Sequence, residues 1–138
     1  MNVERDQAKI FIAKPSKNCF IRFSESMQEE TFPLDCGIVG AVYRRGEYIT
    51  IPNIYNTDLY NGLIDINTTL PVICMPITVM STNKTIGVFQ VPNPKGVRYT
   101  NKKNEIATND LEILEFFSHQ LAQVIMFFDQ DEQISKEK

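Results

Sequence analysis

The most regular apolar spacing lies near the end of the chain. Leu111, Leu114, Leu121, Ile125 and Phe128 follow one another at three- and four-residue steps once Ser118 is counted in the gap. That period predicts an amphipathic helix. Asn109 and Glu112 have capping-box spacing and place its start. Ile113, Phe117, Val124 and Phe127 widen the stripe toward a second face. One sheet does not need so broad a face, so the pattern predicts a second partner for the helix, another subunit or domain.

Upstream, the pattern is mostly of strand type. Ala8–Ala13 alternates and is followed by Pro15-Ser16-Lys17-Asn18, which is turn chemistry because Pro presets φ and Asn tolerates a left-handed backbone. Cys19–Phe23 reads as the return strand of a hairpin. Thr31–Leu34 reads as a short third strand whose Pro33 suits an edge. Cys36–Gly46 predicts a helix of two turns, with Asp35 as N-cap, Arg44-Arg45 at the cation-favouring end and Gly46 as a left-handed stop. Tyr48–Ile51 is a strand ended by Pro52, and Asn53–Asn67 is an irregular lobe with one helical turn. Val72–Val79 and Thr85–Val91 are β-branched strands joined by the polar turn Ser81-Thr82-Asn83-Lys84. Pro92–Asn109 is a long polar loop. The ends, residues 1–7 and the polar tail 129–138, read as loose, leaving one domain over 8–128.

The bulk numbers narrow the function classes. The chain has 138 residues, 43 % hydrophobic and 22 % charged, with a formal net charge of −3, which suits one soluble domain and gives no footprint for nucleic acid or an anionic membrane. The densest basic cluster is Lys102-Lys103, read as solvated loop. No apolar run reaches the roughly 18 residues of a membrane span, and the charged start MNVERDQAKIF is not a signal peptide. Cys19, Cys36 and Cys74 are odd in number and form no C-x-x-C, which argues against a disulfide framework or zinc site. Reduced thiols and a cytoplasmic location are expected.

The order of elements alone predicts an α+β fold with a mostly antiparallel sheet. The residues at the joints resemble a known family, the GAF domains. Gly37-Ile38-Val39-Gly40-Ala41-Val42, Gly46-Glu47 and Ile51-Pro52-Asn53-Ile54-Tyr55 are similar to its Gly-x-x-Gly helix, Gly-Glu turn and Ile-Pro-Asp-Ala-Tyr segment. Asp58-Leu59-Tyr60, Ile73-Cys74-Met75-Pro76-Ile77, Ile86-Gly87-Val88-Phe89-Gln90-Val91 and Asp110-Leu111-Glu112-Ile113-Leu114 continue the likeness in order. No single motif is specific, but the ordered set is. The resemblance implies a GAF-like, profilin-like fold: a six-stranded antiparallel sheet with the C-terminal helix on one face and a short-helix and loop lobe on the other. The helix that usually opens such domains has no counterpart before residue 8.

The resemblance also implies a pocket between sheet and lobe that holds, in different members, a cyclic nucleotide, a bilin, a haem, an amino acid or nothing. For a cyclic nucleotide, cGMP or cAMP, backbone N–H groups at Gly37 and Ile38 suit the phosphate. Tyr55, Asn56, Tyr60 and Asn61 are placed to stack on and hydrogen-bond a base. The same residues also serve a ligand-free lobe, with tyrosines capping the core and asparagines making turns. The nucleotide-binding signature of the family is reduced to Asn93 and Asp110, with Pro94 for Lys, Ile106 for Phe and Leu111 for Glu.

Catalysis lacks its parts. The GAF-fold methionine sulfoxide reductases need paired thiols, and Val39 and Thr68-Thr69 stand near the places of their cysteines, with Cys36 three residues early. The single histidine, His119, has no motif-based nucleophile, metal or chromophore-bearing cysteine beside it. The expected function is therefore a non-catalytic regulatory module acting in protein association or dimerisation and in small-ligand sensing. Its interface is expected on the last helix at Leu121, Val124, Phe127 and Phe128. The alternative is a cyclic-nucleotide-binding regulatory domain of a phosphodiesterase or other signalling protein.

Overall fold

A computed structural model describes residues 8–23, 28–68, 71–92 and 105–137, without the side chains of Phe23 and of 128–137. The elements run β1 (Lys9–Lys14), a 3₁₀ turn (Pro15–Lys17), β2 (Cys19–Phe23), β3 (Glu29–Pro33), α1 (Gly37–Arg45), β4 (Ile49–Ile51), a second 3₁₀ turn (Ile54–Asn56), β5 (Val72–Val79), β6 (Lys84–Pro92) and α2 (Thr108–Glu137). The strands make one six-stranded sheet in the order β3-β2-β1-β6-β5-β4. Every neighbouring pair is antiparallel.

Each face of the sheet has its own core. Phe11, Phe20, Val72, Cys74 and Val88 bury one face under Ile38, Val39 and Val42 of α1 and Ile54, Ile64 and Ile66 of the lobe. Ile73, Met75, Ile77 and Phe89 bury the other under Ala122 and Ile125 of α2, with Ile106 closing the end. The expected layering is therefore the observed one. It explains why β5 reads as a nearly continuous apolar run: a strand covered on both sides has no solvent face to keep polar.

Two local devices shape the sheet. The pairing of β5 with β6 moves from Ile77↔Gly87 to Thr78↔Thr85, which leaves Ile86 as the extra residue of a bulge. Ile86 accordingly packs with Phe89 against α2, where strict alternation would set it with Val88 on the opposite face. Next to the bulge, Gly87 lets β1 come close: a Cβ there would lie 2.4 Å from the carbonyl oxygen of Phe11.

The second device is at the β5 edge. β4 covers only Val72, Ile73 and Cys74. Beyond them the outer edge of β5 is left without a strand neighbour, and Pro76 stands where no ladder N–H is required. Ser118 Oγ of α2 donates to the Pro76 carbonyl at 2.8 Å and accepts from the Thr78 N–H at 3.0 Å. The polar gap in the apolar stripe of α2 is thus the group that satisfies this edge.

Several boundaries differ from the sequence reading. The N-cap of α1 is Cys36, whose side chain makes no capping bond, and not Asp35. Gly46 ends α1 as expected, left-handed at φ 68° with its N–H on the Val42 carbonyl at 2.8 Å. Asn18 is left-handed at φ 55° after the first 3₁₀ turn. α2 begins at Thr108, so Asn109 lies inside its first turn and does not cap it. The same helix runs on to Glu137, through the segment read as a loose polar tail. Charge without periodicity suggested a tail, yet 129–137 contains no Gly or Pro to stop the helix. No described helix is long and apolar enough to cross a membrane.

Candidate functional site

The residues expected to form a ligand pocket gather at the N-terminus of α1. A helix start presents unpaired N–H groups and a positive dipole end, so something negative or oxygen-bearing must meet it when it is buried. Here the partner comes from the lobe. Asp65 Oδ2 accepts from the N–H of Ile38 at 2.9 Å and of Asn61 at 2.8 Å. Asp65 Oδ1 accepts from the N–H of Val39 at 3.2 Å and from Gln90 Nε2 at 3.1 Å. The carboxylate is 2 % exposed. Ile38 therefore offers no free N–H for a phosphate: the chain's own carboxylate already occupies that place.

The backbone is built around this anion. Gly37 is left-handed at φ 69°, and a Cβ on it would fall 2.5 Å from Asp65 Oδ2 and 2.7 Å from Ile64 Cγ2. Asn61 turns the chain, its carbonyl accepting from the N–H of Ile64 and of Asp65 at 3.1 and 2.9 Å. Its side-chain oxygen accepts from the Leu63 N–H at 3.0 Å, and its amide reaches Cys36 Sγ at 3.6 Å. Gln90, projecting from β6 and fully buried, ties the lobe to the sheet: Oε1 accepts from the Ile66 N–H at 3.0 Å while Nε2 donates to Asp65.

The tyrosines lie on the outside of the lobe. Tyr55 and Tyr60 meet edge to face with ring centroids 5.2 Å apart. Tyr55 is exposed and its hydroxyl bonds Asn67, whereas Tyr60 is half-buried against the α1-side core. Asn56 ends the second 3₁₀ turn and is exposed. The structure thus draws Gly37, Ile38 and Asn61 together through Asp65 and pairs Tyr55 with Tyr60. Of the signature residues, Asp110 sits in the first turn of α2, while Asn93 lies outside the described residues. Ile106 fills the α2-side core and donates its N–H to the Tyr48 hydroxyl at 3.1 Å.

Electrostatics follow from burial. Desolvation pushes the Asp65 carboxyl above its ordinary value, against the pull of its four hydrogen bonds. Burial, with Asp65 nearby, holds the Cys74 thiol well above the usual thiol range, so it stays protonated and unreactive. Tyr60 is raised by desolvation and then by Tyr55 and Asp65. Among the described residues no group of His, Cys, Asp and Glu could hold a metal ion.

On α2 the stripe divides. Leu111, Leu114 and Leu121 pack inward on the sheet-side core, so Leu121 belongs to the core and not to an outer face. Val124 and Phe127 are exposed together with Ile113 and Phe116, while Phe117, half exposed, also sets its ring edge to face on the buried Phe89 with centroids 5.4 Å apart. Phe128 falls among the side chains outside the described residues.

Asp65 and Gln90 carry the centre of the site, and neither is among the residues expected to form the pocket. Each left a signal. Asp65 stands between Ile64 and Ile66, and Gln90 between Phe89 and Val91. A polar group flanked by large apolar residues is a candidate for burial with a partner.

The sequence profile of the GAF domain family matches residues 4–126. The dual 3′,5′-cyclic-AMP and -GMP phosphodiesterase 11 of Drosophila melanogaster is 33 % identical over 98 residues, which is 67 % of this chain and 6 % of that much longer protein. The fold is similar to that of the GAF domain of a phosphoenolpyruvate-protein phosphotransferase from Coxiella burnetii, with a TM-score of 0.69, 12 % identity, and 93 % and 76 % of the two chains covered. The corresponding Acinetobacter domain has a TM-score of 0.67 at 18 % identity, with 93 % and 75 % covered.

Proposed function

The chain belongs to the GAF domain family, and from that premise we propose that it is a regulatory module without catalysis of its own, acting by association with a second copy through the outer face of α2. The observation that carries this reading is the apolar surface left on that helix. Ile113, Phe116 and Phe127 are each 66 % exposed, Val124 53 % and Phe117 47 %. A monomeric soluble protein seldom leaves so many large apolar side chains together in water. Ile113, Phe117, Gln120, Val124 and Phe127 also step by four and three, the spacing of a helix-to-helix seam, and Gln120 supplies the single polar position that fixes register in such seams. Burial of Cys74, which holds its thiol well above the usual range, supports reading that cysteine as packing and not as a nucleophile.

Sedimentation equilibrium tests the reading. A dimer is expected, converted to monomer by Ile113→Asp or Val124→Asp with the folded spectrum unchanged. A monomer at all concentrations would overturn self-association and leave the face to another domain.

A second reading, cyclic-nucleotide binding, is favoured by the likeness to the Drosophila phosphodiesterase. Against it stands Asp65: a nucleotide phosphate brought to the start of α1 would meet a buried carboxylate and N–H groups already bonded to it. Thermal shift with cAMP and with cGMP decides the matter. A rise in Tm that saturates with nucleotide would restore the second reading.

A further inference from the structure

We draw no further inference here: the strongest candidate, the exposed apolar face of α2 formed by Ile113, Phe116, Val124 and Phe127, belongs to the self-association already proposed, and nothing in the structure fixes the direction in which a second copy would lie on it.

Discussion

Asp65→Asn probes the centre of the fold most directly. The carboxylate receives four donors, two on each oxygen: Ile38 and Asn61 N–H on Oδ2, Val39 N–H and Gln90 Nε2 on Oδ1. An asparagine side chain keeps one oxygen and replaces the other with NH₂. Two of the donors then face a donor. The best orientation keeps the shorter contacts of Oδ2 and abandons those of Val39 and Gln90, at 3.2 and 3.1 Å. Leaving a buried donor unsatisfied costs about 1–3 kcal/mol each. Desolvation of Asp65 is relieved by the neutral amide, which offsets part of the loss. A net destabilisation of about 2–4 kcal/mol follows from those two terms. A domain of this length has a total stability of the order of 10 kcal/mol, so the midpoint in urea should fall by a large fraction at unchanged m. Urea unfolding followed by far-UV circular dichroism reads this out. Asp65→Leu should be worse, because it leaves all four donors without a partner. A loss below about 0.5 kcal/mol in Asp65→Asn, typical of an ordinary surface site, would refute the assignment of this carboxylate as the anchor of α1.

Three further outcomes follow from the same geometry. Because burial raises the Asp65 pKa above its ordinary 3.8, the folded state binds that proton more tightly than the unfolded one. The Asp65 contribution therefore makes stability fall as pH rises from 3.8 through the raised value, and this component of the slope should vanish in Asp65→Asn when urea midpoints are compared across that window. Ser118→Ala strips the β5 edge of the group that serves Pro76 and Thr78; a loss of about 1–3 kcal/mol is expected in urea, with faster amide exchange at Thr78, and protection equal to the parent protein would count against the edge-capping role. Gly87→Ala pushes a methyl group to 2.4 Å from the Phe11 carbonyl oxygen, a backbone atom that cannot swing aside; overpacking of this kind costs about 1–3 kcal/mol, and a neutral variant would mean that β1 can shift without penalty.

Much of this protein was legible in the order of its residues. The strands follow from short-range alternation and turn chemistry, the stop of α1 from Gly46, and the core face of α2 from its three- and four-residue steps. These features depend on neighbours within a few positions, so a linear pattern contains them. The joint motifs carried the family for the same reason. What the chain alone could not decide lies in contacts between distant segments. Asp35 read as the cap of α1 because it is adjacent; the group that meets the buried N–H bonds is Asp65, 26 and 27 residues further on. Ser118 read as a gap in a stripe until the fold laid it on an edge 40 residues upstream. Leu121 reads as interface and Ile113 as flank, but rotation of α2 against the sheet packs the first, half-buried, on the core and exposes the second. In each case the deciding quantity is the satisfaction of a polar group or the covering of an apolar one. That demand is set by burial, and burial is a property of the packed chain.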